Sequence, residues 1–242
     1  AGLPAALRAQ CALEAPPLPD ASLYTRDEEK YWREIRKQYI LPEDTVYLNV
    51  GTVGCSPLPV LQAVFDSYMH IEKMAGVEDP ERYPIWGYES WNEFRDPLAQ
   101  FVGVTRDELA LVRNATEGNS FMANGLDMKA GDEVLMSDQE HSSGEGPWNL
   151  RARRYGIVVK RYEIPKPLRD PADVLNRIND AITPRTRVLF TSHITTTTGV
   201  IQPVKEMCAL ARAKGIVSMI DGAQVPGMMR LNISELGCDM YS

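Results

Sequence analysis

From about Glu108 to Ser242, short apolar runs alternate with amphipathic stretches, and this rhythm restricts the fold more than any other feature of the chain. "ELALVRN", "DEVLMSD", "IVVKRYEI", "TRVLFTSH", "IVSMID" and "CDMYS" read as strands. Between them, "TEGNSFMANGLDM", "SGEGPWNLRARRY", "ADVLNRINDAI", "PVKEMCALARAKG" and the short "ISELG" read as helices. Strands so nearly continuous in apolar residues have both faces covered, which predicts an α/β three-layer sandwich around a mostly parallel central sheet. Right-handed crossovers then bring the C-terminal ends of all the strands to one edge, where open α/β sheets bind ligands.

The first part of the chain is less regular. Residues 1–22 are rich in Ala and Pro and read as an irregular arm. A helix is expected over about Thr25–Ile40, a short strand in "TVYLNVGTVGCSPLP", and a strongly periodic helix in "LPVLQAVFDSYMHIEKMA". The aromatic stretch "DPERYPIWGYESWNEF" is loop-like and leads into a further helix through Phe101. The expected organisation is an N-terminal arm and helix over 1–44, followed by one large domain over 45–242.

A net charge of −7 and the lack of a dense Lys/Arg run argue against nucleic-acid partners. No stretch approaches about 18 consecutive apolar residues, so no membrane partner is expected. The four cysteines are scattered with no CxxC pair, which suits a reducing compartment. Cys55, in a Gly/Pro turn, is expected to behave as a small buried hydrophobe. "AGLPAALRAQ" has no apolar core and is no complete export signal. The expected location is cytoplasmic, with export after removal of a leader as the alternative.

Polar clusters fall at the predicted strand ends: "RNATEGN", "SDQEHSS", "TSHITTTTG" and "DGAQ". In the first, helix N-terminal N–H groups and the Thr116 hydroxyl make a cradle suited to phosphate, or Asn114 or Thr116 simply caps the helix. The second supplies His141, one of three histidines, and no histidine has partners at metal-ligand spacing, so no metal is expected. The third offers hydroxyls such as Thr196, which either bind a ligand oxygen or bond their own backbone. The last is the sharpest signal, because an apolar run ends in a bare carboxylate, Asp221. Burying an unpaired ion costs several kcal/mol, so Asp221 either caps the turn at Gly222 or meets a cation that is not protein. A ring nitrogen held protonated by such a carboxylate acts as an electron sink.

"NATEGN", "EH" at 140–141, "SHITTTTGVIQPV" and "DGAQVPG", in that order, resemble fold-type I pyridoxal-phosphate enzymes of the class V aminotransferase group, including isopenicillin N epimerase-like proteins and cysteine desulfurases. The resemblance spans about 45–242 and implies pyridoxal 5'-phosphate as cofactor. It implies that Ala115 and Thr116 hold the phosphate and that His141 stacks on the pyridine ring as a catalytic residue. Thr196 and Gln224 would lie near the ring 3-hydroxyl oxygen, and Asp221 would pair with the ring nitrogen as the second catalytic residue.

Gly51, Thr52 and Trp86 are the expected substrate neighbours, with simple packing as the other reading of Trp86. The family's Schiff-base lysine follows D-x-Y-S by a few residues, and none of the eight lysines lies after Asp221. It is therefore expected beyond Ser242, with the family's small C-terminal domain, unless a companion chain supplies it. The resemblance further implies a small-molecule amino-acid substrate and a homodimer with shared active sites. Chemistry at the substrate Cα is expected, epimerase-like or aminotransferase-like. A carbon–sulfur lyase or cysteine desulfurase and a non-catalytic binding module are the alternatives.

Overall fold

A computed structural model describes residues 15–74 and 91–242, and these belong to two compact units that divide between Ser90 and Trp91. In the first unit, the expected helix over Thr25–Ile40 is two helices, α1 (Ser22–Arg26) and α2 (Glu28–Arg36). The break falls at Asp27, which leaves helical geometry and accepts the Lys30 N–H at 2.9 Å, capping α2. Acids in the first turn of α2 and arginines in the last complement its dipole. The expected strand at 45–50 is absent. Its backbone meets no neighbouring strand among the described residues, and Arg36 instead takes the carbonyls of Pro42 and Thr45 at 2.8 and 2.7 Å. Helix α3 (Leu58–Met74) follows as expected. Cys55 is exposed, contrary to expectation, because the turn from 51 to 56 is uncovered along its whole length.

The second unit opens with α4 (Trp91–Val102) and one 3-10 turn (Arg106–Glu108). The expected strand at 108–114 forms no ladder, since the Arg95 guanidinium takes the Arg106 and Leu109 carbonyls at 2.6 and 2.8 Å. Then come α5 (Ala115–Gly125), β1 (Glu133–Ser137), α6 (Ser142–Tyr155), β2 (Val158–Tyr162), α7 (Pro171–Ala181), β3 (Thr186–Ser192), α8 (Val204–Ala213), β4 (Val217–Asp221), α9 (Ile233–Leu236) and β5 (Met240–Tyr241). The sheet order is β2-β1-β3-β4-β5, and every pairing is parallel.

Strand pleating sends alternate side chains to opposite faces, and the core divides accordingly. Leu135 and Leu189 pack with Val174 and Ile178 of α7 and Met207 and Ala211 of α8. Val134, Met136, Val188 and Phe190 face the other way, onto Ala123 of α5 and Trp148 of α6. Helices therefore cover both faces, and the three-layer α/β reading of the sequence holds. The edge strand β2 is covered less than its neighbours, with Val158 and Arg161 exposed and Lys160 half-buried, which accounts for "KR" in its sequence. The chain leaves β1 for β2 on one side and returns to β3 on the other. The strand order therefore reverses between the C-terminal ends of β1 and β3, the crevice that such sheets offer to ligands.

Candidate functional site

The site begins with the loops that follow β1, β3 and β4. Their ends are level, with Ser192 paired to Asp221 in register and Phe190 to Met136. Glu140, just after β1, binds the end of β3. Its carboxylate accepts from the Ser192 N–H at 2.7 Å, the Ser192 hydroxyl at 2.6 Å, the Thr191 hydroxyl at 3.2 Å and the Ser137 hydroxyl. Burial raises the Glu140 pKa, and these donors pull against that rise. Behind it, Gln202 donates to Thr191 Oγ1 at 2.6 Å and to the Ser192 carbonyl at 2.7 Å, and accepts from the Tyr162 hydroxyl at 3.2 Å.

His141 follows Glu140 and caps α6, its Nδ1 accepting the Ser143 N–H at 3.2 Å, with the ring exposed. Its carbonyl takes the Gly144 N–H at 2.9 Å. Gly144 lies against Asp221: a Cβ there would be 3.1 Å from Asp221 Oδ2 and 2.8 Å from Phe190 Cζ. His141 thus stands within one helical turn of the residue that touches Asp221.

Asp221 is buried at the end of β4. Its Oδ1 accepts the Ala223 N–H at 3.1 Å, the turn cap weighed from the sequence, and its Oδ2 accepts Asn119 Nδ2 at 2.8 Å. Both donors are neutral, and among the described residues no ion pair reaches this carboxylate.

Ala115 and Thr116 form the first turn of α5, which Asn114 caps by accepting the Glu117 N–H at 3.0 Å. Of the two capping residues considered from the sequence, it is Asn114 that serves. Ser242 joins this turn to β4: its hydroxyl donates to the Ala115 carbonyl at 3.2 Å, and its carbonyl takes the Gly222 N–H at 2.6 Å. Only glycine fits at 222, because a Cβ would collide with the Tyr241 ring.

Thr196 is exposed on an excursion between His193 and Gln202, closed by the Ile194–Ile201 bridge. That excursion is fastened to the β1–α6 loop by Thr198, which donates to Gln139 at 2.5 Å and meets Thr195 Oγ1 at 2.8 Å. Gln224 is half-buried in the turn after β4, where the Val225 N–H bonds the Gly222 carbonyl at 2.8 Å. Buried His193 touches the Tyr241 hydroxyl at 3.0 Å, and burial lowers its pKa. The loops therefore bring His141, Asp221, Ala115 and Thr116 to one edge, with the Thr196 excursion fastened alongside. Gly51 and Thr52 are exposed in the first unit, and Trp86 lies outside the described residues.

Asn119, Glu140 and Ser242 were given no role from the sequence. Asn119 carried one readable signal, being a polar residue four positions after Ala115 and so on the same face of α5. The contacts of Glu140 with Ser192 and of Ser242 with Ala115 reach across 52 and 127 residues and leave no local trace.

Residues 47–242 match the model of the family described as Aminotransferase class-V. The chain is 33% identical over 213 residues to isopenicillin N epimerase of Streptomyces clavuligerus, covering 87% of this chain and 52% of that protein. It is 29% identical to a probable cysteine desulfurase of Methanothermobacter thermautotrophicus, covering 85% of this chain and 50% of the relative. A solved structure of a C-DES mutant, with glycine covalently linked to its PLP cofactor, superposes with a TM-score of 0.72 at 25% identity, over 86% of this chain and 54% of that one. The apo cysteine desulfurase of Thermococcus onnurineus NA1 shares the fold, with a TM-score of 0.71 at 24% identity over 87% of this chain and 52% of that one. The chain spans about half the length of the curated relatives it matches. With the family model matched from Tyr47 to Ser242, the chain belongs to the aminotransferase class-V family.

Proposed function

We propose that this chain binds pyridoxal phosphate and that the protein acts at the Cα of an amino-acid substrate, by epimerase-like or aminotransferase-like chemistry. The observation that carries the reading is Asp221, a buried carboxylate at a parallel strand end whose partners are both neutral donors. A carboxylate has about four acceptor sites, so a cationic ring nitrogen can still be accepted there. The residues fit the cofactor in other respects too. Gly144 presents bare backbone where a side chain would press on Asp221, and the exposed His141 ring stands at the same helix start.

When bound, the cofactor supplies an electron sink for charge developing at the substrate Cα. Asp221 keeps the ring nitrogen protonated. His141 covers the ring face, Thr196 and Gln224 attend the ring oxygen, and the first turn of α5 at Ala115 and Thr116 takes the phosphate. Gly51, Thr52 and Trp86 remain proposed substrate neighbours, and a homodimer with shared sites is the proposed assembly.

The isopenicillin N epimerase relatives support this order of readings. A carbon–sulfur lyase or desulfurase is the second reading, supported by the desulfurase relatives. A desulfurase, unlike a lyase acting by elimination, requires a cysteine nucleophile; burial pushes the Cys208 thiol up to about 12 and raises that of Cys238, so neither of these two is suited to that role.

The test is addition of pyridoxal phosphate to the purified full-length protein, followed by absorbance. Saturable uptake with a band at about 410–430 nm, fixed onto a lysine by borohydride, is expected of the enzyme. A protein that takes up no cofactor is a binding module of another kind and contradicts the proposal. Light scattering at micromolar concentration tests the homodimer, which a monomer would contradict.

A further inference from the structure

We propose that Asn119 is the positioning residue for Asp221, fixing the plane of that carboxylate so that its free acceptor site faces the cofactor ring nitrogen. The inference rests on the reading of Asp221 given above and adds a residue to it. Three observations carry it.

The first is the bond itself, 2.8 Å from Asn119 Nδ2 to Asp221 Oδ2, between two buried side chains 102 residues apart. The terminal torsion of an aspartate is broad, so the single 3.1 Å bond from Ala223 leaves its plane loosely defined. A second donor on the other oxygen defines it.

The second is that Asn119 Oδ1 is buried with no hydrogen-bond partner among the described residues. An unpaired buried carbonyl is unfavourable, and a side chain serving packing alone would do better as an apolar residue. The amide cannot be reversed either, because Oδ1 would then oppose a carboxylate. The arrangement persists for its one good bond.

The third is the position of Asn119 on α5. It lies three residues after Thr116 and four after Ala115, hence on the same face of the same helix. One rigid element therefore presents first-turn N–H groups to an anion and holds Asp221 one turn further along. The spacing between phosphate end and ring-nitrogen end is set by helix geometry rather than by two independent loops.

The experiment is pyridoxal phosphate titration of the whole protein and of four variants: Asn119→Ala, the near-isosteric Asn119→Leu, Asp221→Asn, and Asn119→Ala with Asp221→Asn. Affinity and the pH dependence of the bound cofactor's absorption are both read. Loss of one hydrogen bond to a charged group predicts binding weaker by about tenfold to hundredfold in Asn119→Ala. The bound cofactor should also lose its ring proton at lower pH. The near-isosteric Asn119→Leu keeps the packing while removing the donor, so it should show the same pH change even if Asn119→Ala folds poorly.

In the Asp221→Asn background, Asn119→Ala should add little, because the two act as one unit. If Asp221→Asn weakens binding while both Asn119 variants bind with wild-type affinity and pH profile, the positioning role is wrong and the reading of Asp221 stands. Additive losses in the double variant would also overturn it, marking Asn119 as structural. If Asp221→Asn itself binds with an unchanged profile, the reading of Asp221 fails and takes this inference with it.

Discussion

The Glu140 carboxylate accepts hydrogen bonds from both the N–H and the hydroxyl of Ser192, at 2.7 and 2.6 Å, across the point where the strand order reverses. It ties the loop after β1, which presents His141, to the end of β3, from which the Thr196 excursion departs. A carboxylate is required because every group facing it is a donor.

Glu140→Gln puts an amide NH2 among those donors and leaves one of them opposed. The expected loss is about 1.5–3 kcal/mol, the usual range for hydrogen bonds to a charged group. For a protein of this size that lowers the melting temperature by roughly 3–10 °C, measurable by calorimetry. A variant melting with the wild type would show that the two loops are held together by other means.

Gly144 on α6 and Gly125 on α5 both lie in helices and predict opposite signs. An added Cβ at 144 would be 2.8 Å from Phe190 Cζ, in a ring that is fully buried, and 3.1 Å from Asp221 Oδ2. Gly144→Ala should cost about 1–3 kcal/mol by overpacking and should weaken cofactor binding. At Gly125, on α5, nothing lies within 4 Å, so Gly125→Ala should stabilise by about 0.5–1 kcal/mol through helix propensity. Denaturant unfolding of the two variants checks both. Equal shifts would mean that α6 does not approach Asp221 closely.

The buried His193 ring predicts a pH dependence of stability. Burial lowers its pKa below the ordinary 6.5, so the folded protein binds fewer protons than the unfolded chain as the pH falls through that value. The contribution is whole above pH 6.5 and is lost on acidification toward the folded-state pKa. His193→Gln should flatten the melting temperature between pH 8 and pH 5 relative to wild type. An unchanged slope would place the acid sensitivity on another group.

The sheet was legible in the sequence wherever strands are buried on both faces. Val134, Leu135, Met136, Val188, Leu189 and Phe190 are apolar because helices cover both sides. The two strands expected at 45–50 and 108–114 have similar composition but no neighbour to pair with among the described residues, and arginines take carbonyls there instead. Composition reports burial, whereas a ladder needs a partner that no local window contains. In the site, Asp221 stood out because a charge closing an apolar run must be compensated. The local half of that compensation, the Ala223 N–H, is the turn cap; the other partner, Asn119, is 102 residues away, and neither segment alone shows that the two meet.

The central claim is that Asp221 keeps the ring nitrogen of bound pyridoxal phosphate protonated. Magnetic resonance of the protein loaded with cofactor isotope-labelled at that nitrogen reads the proton directly. The account predicts a protonated nitrogen in the wild type near neutral pH and a neutral one in Asp221→Asn at comparable occupancy. A neutral nitrogen in the wild type, or the same signal in both proteins, would contradict it.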